Sequence, residues 1–318
     1  MSAILIIEQI LNGLQFGVML FLMAAGLTLI FGVMGWINLA HGSLYMVGAF
    51  AAASMAGLTG SFFIGLLAAL IAAALAGAII EIVVIRRLYK AAHLDQVLAT
   101  FALILIFSEG TRWLFGSFPL FLEIPKLLSG PISLPGGIQY PLYRLSLIAI
   151  GLAVALGLWA LIEKTRIGIQ IRAGENDREM IAALGVDISK LYTLVFALGA
   201  ALAGTAGALV GAIRPVQVGM GEPVLILAFV VIVIGGIGSI RGAFIGALLV
   251  GLTDTLGGVF LPELLKLFME TGSAQKTGSA FASMGIYILM GGVLSWKPTG
   301  LLWTRTSSSI LCTPPLIS

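Results

Sequence analysis

The chain consists of long apolar runs separated by short polar segments. Nine runs near 20 residues stand out, at 5–31, 44–60, 62–85, 95–115, 144–162, 191–213, 224–240, 242–260 and 280–296. Because a hydrocarbon core about 30 Å thick needs roughly 20 apolar helical residues per crossing, each run can span a membrane. The second, seventh and eighth runs are short and interrupted by glycine, which allows one broken or re-entrant pair. The pattern predicts an all-α polytopic membrane protein with eight or nine transmembrane helices.

The composition agrees with this pattern. Of 318 residues, 59% are hydrophobic and 10% are charged, and the mean hydropathy is +1.12. A soluble globular protein carries about 25% charged residues, so that class is excluded. A membrane β-barrel needs alternating polar and apolar positions, whereas 98–106 and 225–234 are apolar on every face. The single cysteine, Cys312, excludes an internal disulfide and a multi-thiolate metal site, and no cofactor is expected.

The lysines and arginines predict the orientation. With the N-terminus outside, the cytoplasmic side receives eleven of the 17 basic residues and the outer side receives six. The eleven are Arg86, Arg87, Lys90, Lys164, Arg166, Arg172, Arg178, Lys190, Arg241, Lys297 and Arg305; the six are Arg112, Lys126, Arg144, Arg214, Lys266 and Lys276. Positive residues favour the cytoplasmic side, so the N-terminus is expected outside and the C-terminus inside. Basic residues confined to short loops give no indication of nucleic-acid binding.

The segments between the runs predict one transmembrane domain over 1–305, followed by a disordered tail over 306–318. The outer loop 116–143 contains five prolines, so it cannot be one regular helix and is expected to form a structured cap. The cytoplasmic loop 163–190 carries ten charges and a helical pattern over 176–185. Asn176 or Asp177 can cap the start of this helix of about ten residues, and Gly185 can end it.

Several polar or glycine-rich positions inside apolar runs are candidates for the translocation path or its gate. Polar groups at membrane depth must be paired or face a cavity. The candidates are Asn38, His41, Gly42, Gly236, Gly238, Gly242 and Asp254. Alternatives stay open for each of them: Asn38 can cap the second span with His41 at the membrane interface, the glycines can serve close helix packing, and Asp254 can lie near the outer surface.

Three motifs carry a resemblance to a known family. The stretch Glu179-Met180-Ile181-Ala182-Ala183-Leu184-Gly185 resembles a degenerate E-A-A-x-x-x-G loop of ABC importer permeases, although Met180 and Ile181 replace small residues. The stretches 37–42 (INLAHG) and 235–243 (GGIGSIRGA) resemble segments of the branched-chain amino acid permeases, of the LivH type. The resemblance extends from about residue 5 to residue 303.

This resemblance implies an ABC importer permease fold in a bacterial or archaeal cytoplasmic (inner) membrane. The loop helix of such permeases docks in a groove of an ATPase subunit, so the implied coupling positions are Arg172, Glu179, Ala182, Ala183 and Gly185. The implied partners are two cytoplasmic ATPases, a second related permease and an extracytoplasmic substrate-binding protein, besides membrane lipid. The implied substrates are leucine, isoleucine and valine, with urea or short amides as an alternative.

The chain itself is not expected to be an enzyme, because it contains no G-x-x-x-x-G-K-[ST] nucleotide-binding sequence. The loop helix has a second interpretation, in which it lies on lipid headgroups through Arg172, Arg178 and Lys190. A rival function is a secondary transporter driven by an ion gradient, for which Asp254 is the candidate carboxylate. A membrane scaffold without transport activity is a third alternative.

Overall fold

A computed structural model describes residues 3–36, 38–89, 91–134 and 137–302. The helices are α1 (Ala3–Met34), α2 (His41–Thr59), α3 (Phe62–Val83), α4 (His93–Phe115), α5 (Leu142–Lys164), α6 (Arg166–Asn176), α7 (Arg178–Ala183), α8 (Ile188–Gly211), α9 (Gly221–Gly235), α10 (Ile240–Leu265) and α11 (Thr271–Trp296). In this described part, eight helices are long and apolar enough to cross a membrane, and the 15-residue α9 is shorter. The prediction of an all-α polytopic membrane protein with about eight transmembrane helices is confirmed. The predicted tail 306–318 lies outside the described residues.

The two helices α1 and α8 form the centre of the bundle. Helix α1 packs against α5, α8, α9 and α10, while α8 also packs against α2 and α3. Every residue of α1 from Val18 to Ile30 is buried, whereas α3, α4 and α5 expose many of their leucines and isoleucines. Apolar side chains left exposed on a membrane-spanning bundle meet lipid tails, so α3 to α5 form the periphery.

Glycine allows the central helices to approach each other at the backbone. A methyl group placed on Gly48 of α2 would lie 2.2 Å from the Cα atom of Gly204 in α8. One placed on Gly207 would lie 2.0 Å from the carbonyl oxygen of Tyr45. Helices in lipid associate through such close packing of small residues, which explains the glycine and alanine content of α8.

Three helix boundaries differ from the predicted runs by more than three residues, among them the end of α10, which lies at Leu265 rather than near 260. The seventh run was predicted to continue to residue 240, but α9 ends at Gly235 because Gly236 and Gly238 adopt positive φ angles of 102° and 84°. Ser239 then begins α10 by accepting a hydrogen bond from the Gly242 amide. The last helix begins at Thr271, nine residues before the predicted start at 280, because its polar first turns are helical as well.

The connection between α4 and α5 folds back onto the bundle. It contains a short 3-10 turn (Lys126–Leu128) and an antiparallel hairpin of β1 (Pro131–Leu134) and β2 (Ile138–Pro141). Leu120 pairs with Val216 of the α8–α9 connection, and the Tyr140 hydroxyl donates to Asn12 Oδ1 at 3.1 Å. These contacts place the hairpin at the same end of the bundle as the start of α1.

The helix termini divide the bundle into two ends. The end that carries the hairpin is here named the hairpin end, and the end that carries α6 and α7 is named the α7 end. A second 3-10 turn, Ile85–Leu88, lies at the α7 end. Among the described residues, nine lysines and arginines lie toward the α7 end and six toward the hairpin end; Lys90 and Arg305 lie outside the described residues.

Candidate functional site

Helix α7 projects from the connection between α5 and α8. The prediction of one helix of about ten residues over 176–185 was wrong, since α6 ends at Asn176 and α7 covers only six residues. The break lies at Asp177, whose Oδ1 atom accepts hydrogen bonds from the amides of Glu179 and Met180, each at 3.0 Å. Gly185, with φ of +87°, follows the end of α7 in the left-handed region. The predicted cap at Asp177 and stop at Gly185 are confirmed.

Helix α7 combines one buried side chain with several exposed ones. Ile181 is only 4% exposed and packs into the bundle, whereas Met180 and Leu184 are 63% and 78% exposed. The predicted coupling positions Glu179, Ala182, Ala183 and Gly185 are all exposed as well. Together with Met180 and Leu184 they form the α7 knob. Sequence reasoning missed these two side chains, although their spacing of four residues places apolar groups on one helical face.

Arg172 occupies a different kind of position from the α7 knob. Its guanidinium donates to the Ile162 carbonyl oxygen and lies 3.2 Å from the carboxylate of Glu163. The other oxygen of Glu163 accepts from Arg241 at 3.0 Å. Arg172 therefore joins α6 to the end of α5, and through Glu163 to the start of α10. This arrangement is suited to positioning α6 rather than to contacting a docked subunit.

Glu175 connects α6 to the centre of the bundle. A methyl group placed on Gly238 would lie 2.8 Å from Glu175 Oε1, and one on Gly32 would lie 3.4 Å away. The carboxyl group thus fills the space beside the α9–α10 turn and α1, although the side chain as a whole is exposed. Partial burial raises the pKa of Glu175 above its ordinary value. Glu175 therefore lies next to the turn between α9 and α10.

The segment around His41 is enclosed by the bundle. Asn38 is 1% exposed, and its Oδ1 atom accepts from the Ala40 amide at 3.0 Å, which orders the chain just before α2. His41 is fully buried beside Gly26 of α1 and the backbone of Met23, and neither ring nitrogen makes a well-formed hydrogen bond with the described residues. His41 therefore lies inside the bundle, at the first residue of α2.

The candidate glycines lie where two backbones meet. Gly42 at the start of α2 contacts Gly221 at the start of α9, where a methyl group on Gly221 would lie 1.9 Å from the Gly42 carbonyl oxygen. Gly242 is packed in the same way against Gly235, at 2.0 Å. These contacts join both ends of the short α9 to its neighbours. A shift of α9 must therefore move α2 and α10 with it.

A cavity of about 540 Å³ lies at the hairpin end between α1, α8, α9 and α10. Asp254 lines it, together with Arg214, which the sequence analysis counted only as a loop charge. The two side chains carry opposite charges and line the same cavity. The start of α9 and Tyr45, one helical turn after His41 in α2, also line the cavity. Asp254 thus faces a cavity, as one of its two interpretations required.

Comparison with known proteins places this arrangement in a family. The family described as "Branched-chain amino acid transport system / permease component" matches residues 9–291. The high-affinity branched-chain amino acid transport system permease protein BraD of Pseudomonas aeruginosa is 32% identical over 314 residues, which cover 93% of this chain and 95% of BraD. LivH of Salmonella typhimurium and LivH of Escherichia coli are each 30% identical over 272 residues, covering 80% of this chain and 87% of LivH. No solved structure matches the chain.

The fold and the two ends of the bundle define a multi-pass membrane permease. The chain belongs to the permease family of branched-chain amino acid transport systems, and its role is that of an ABC importer permease. The resemblance drawn from the α7 segment and the two glycine-containing stretches is confirmed. Permeases of such importers work with ATPase and substrate-binding partners.

Proposed function

We propose that this chain imports branched-chain amino acids and that the α7 knob couples it to an ATPase. The names of BraD and LivH support this substrate class, and the aliphatic walls of the cavity at the hairpin end are compatible with it. The observation that carries the coupling proposal is the exposure of Met180 and Leu184 on a helix held by Ile181. Exposed apolar side chains at an aqueous end of a protein indicate an interaction site.

The proposed route of coupling runs through α6. A docked ATPase that moves the α7 knob also moves α6, because Asp177 both ends α6 and caps α7. Glu175 then presses on the α9–α10 turn at Gly238, and the contact of Gly42 with Gly221 carries the movement to α2. Shifting a two-state equilibrium from 1:99 to 99:1 needs about 5.5 kcal/mol of differential binding. The permease takes this free energy from a nucleotide cycle on its partner.

The proposed orientation places the α7 end in the cytoplasm and the hairpin end outside. The excess of basic residues at the α7 end supports it. A substrate-binding protein then docks at the hairpin end, above the cavity, while two ATPases and a second related permease complete the assembly. Asn38, His41 and Asp254 are proposed to lie along the path between the cavity and the bundle interior, with Gly42, Gly236, Gly238 and Gly242 at the joints that open it.

Substitutions at Gly185 test the docking of the α7 knob. Gly185 has open space around it within the chain, and so does Gly60, which also has a positive φ angle (68°) but lies at the hairpin end. Alanine and tryptophan at either position impose the same backbone strain, so the difference between them reports a clash with a partner. We expect Gly185→Trp to lower ATP-dependent leucine uptake at least tenfold below Gly185→Ala, whereas Gly60→Trp matches Gly60→Ala. Equal uptake by the two Gly185 variants would overturn the docking proposal.

A further inference from the structure

The cavity at the hairpin end is lined by two opposite charges, Arg214 and Asp254, that have no partner among the described residues. Arg214, in the connection that follows α8, and Asp254 of α10 both line it. Neither side chain makes a hydrogen bond or an ion pair of 4 Å or less with any residue in the described part of the chain. The pair of Arg112 and Glu109, toward the same end of the bundle, is different, because those side chains bind each other at 2.7 Å.

A guanidinium and a carboxylate that line one cavity, and that bind no other described residue, are available to a ligand in that cavity. A carboxylate of a ligand matches the planar donors of Arg214, and an ammonium group matches Asp254. The second arginine of the cavity, Arg144, is already engaged, since it donates to Asn12 Oδ1 at 2.8 Å. Gln15 and Gln217 add uncharged polar groups to the same wall.

Apolar side chains form another part of the cavity wall. Its walls include Phe16, Met19, Leu20, Ile213, Val218 and Val224. Small-molecule sites typically have volumes of about 300–1,000 Å³ and combine apolar walls with a few polar groups that fix orientation. The volume of about 540 Å³ lies within this range. The charged part of the cavity matches the head group of an aliphatic amino acid, and the apolar part matches its side chain.

We propose that this cavity is a binding site for the zwitterionic head group of an aliphatic amino acid. Arg214 binds the α-carboxylate, Asp254 binds the α-ammonium group, and the aliphatic side chain lies against Met19, Leu20 and Val224. This inference rests on the proposed function and adds to it a substrate site within the permease itself. The site selects for a free carboxylate and a free amine on the same molecule, which excludes urea and simple amides.

Direct binding of labelled leucine to the permease complex tests this site. The complex is reconstituted in lipid nanodiscs with its ATPase and permease partners but without the substrate-binding protein, so that only sites in the membrane part report. We expect Arg214→Gln and Asp254→Asn each to weaken leucine binding at least tenfold. The matched control variants Arg112→Gln and Glu109→Gln, which remove the self-paired charges, are expected to bind leucine within twofold of the unchanged protein.

Competition identifies which group each charge recognises. Leucine amide lacks the carboxylate and 4-methylpentanoate lacks the ammonium, so each is expected to displace leucine at least tenfold more weakly than leucine itself. Arg214→Gln is expected to remove the penalty for leucine amide, and Asp254→Asn the penalty for 4-methylpentanoate. If a variant does not assemble, the competition experiment on the unchanged complex still tests the site. Equal displacement of labelled leucine by leucine, leucine amide and 4-methylpentanoate would overturn the proposed site.

Uptake by the same preparations separates this inference from the proposed function. ATP-dependent leucine uptake with no leucine binding to the complex, or with binding unaffected by both substitutions, overturns the site and leaves the importer function standing. Absence of ATP-dependent leucine uptake by the unchanged complex, supplied with its binding protein, overturns the proposed function. Binding that follows the charge pattern while leucine is not taken up supports the site alone.

Discussion

The carboxylate of Glu81 is fully buried at the α7 end and binds Arg86 through two nitrogens, Nε at 3.2 Å and Nη2 at 2.9 Å. Thr193 of α8 donates to the same carboxylate at 2.6 Å, and the Tyr89 hydroxyl donates to it as well. Burial and the hydrogen bond to Glu81 raise the pKa of Tyr89. This network ties the end of α3 to the first turns of α8, which directly follow the α7 knob.

Breaking this pair from the arginine side is expected to be the more damaging change. Arg86→Met leaves a buried carboxylate without its cation, which costs about 3–5 kcal/mol, whereas Glu81→Gln leaves a partly exposed arginine and costs about 1–3 kcal/mol. Thermal unfolding in detergent measures both. The neighbouring Arg87 is exposed, so Arg87→Met is the matched control and is expected to have little effect. Equal destabilisation by Arg86→Met and Arg87→Met would contradict this account of the network.

The contact of α2 with α8 is expected to tolerate no added methyl group. Gly48→Ala forces the two backbones apart, because the new Cβ atom would lie 2.2 Å from Gly204 Cα. Overpacking of this kind costs on the order of 1–3 kcal/mol. Gly57 lies in the same helix with open space around it, so Gly57→Ala is expected to be neutral or slightly stabilising. The melting temperatures of the two variants provide the test. Equal shifts for Gly48→Ala and Gly57→Ala would contradict this account of the contact.

The α7 knob is expected to depend on its cap. Asp177→Ala removes the acceptor for the amides of Glu179 and Met180, at a cost of about 1 kcal/mol that falls on α7 alone. Hydrogen exchange over 178–183 is expected to accelerate several-fold and ATP-dependent uptake to decrease, while the melting temperature of the bundle stays unchanged. Asp177→Ser retains a capping oxygen and should restore slow exchange. Unchanged exchange in the alanine variant would show that the cap does not hold α7.

The two acidic groups beside α7 are expected to respond to pH in opposite directions. The pKa of Glu175 is raised by burial, so its contribution to stability is present below the ordinary carboxyl pKa near 4.3 and is lost as the pH rises through the raised value. Glu175→Gln should therefore be more stable than the unchanged protein at neutral pH, with the difference vanishing in acid. Melting temperatures recorded across this pH range measure it.

The pKa of Asp187 is shifted in the opposite direction from that of Glu175. Hydrogen bonds from the amide and side chain of Lys190 lower the pKa of Asp187, so its contribution is present above the ordinary carboxyl pKa and is lost as the pH falls. Asp187→Asn should consequently be less stable than the unchanged protein at neutral pH and equal to it in acid. A pair of variants that changed in the same direction would contradict the assigned environments.

Local chemistry made much of this architecture predictable. The thickness of the bilayer fixes the length of an apolar run, so the eight long spans follow from hydropathy alone. Asp177 and Gly185 affect only the helical turn next to them. As predicted, Asp177 caps the start of α7 and Gly185 follows its end. The pairs of Glu109 with Arg112 and of Glu81 with Arg86 join residues only three and five positions apart, so they are local contacts as well.

Features that depend on tertiary packing were not predictable in this way. Apolar periodicity does not show that the chain turns at Gly236. The turn has positive φ angles at Gly236 and Gly238, and it brings Gly242 against Gly235 in the folded chain. Helix α6 has a polar sequence and is held by the ion pair of Arg172 with Glu163, which hydropathy does not detect. Arg214 was assigned to a loop, since only the folded chain brings it to the cavity that Asp254 lines.

Solute uptake by the purified chain, alone and assembled, tests the central claim most directly. Proteoliposomes are prepared with the chain by itself and with its ATPase, permease and binding-protein partners, and labelled leucine uptake is followed with ATP, without ATP, and with an imposed proton or sodium gradient. The account predicts uptake only in the complete assembly, only with ATP, and without regard to the ion gradient. Gradient-driven uptake by the chain alone would contradict it.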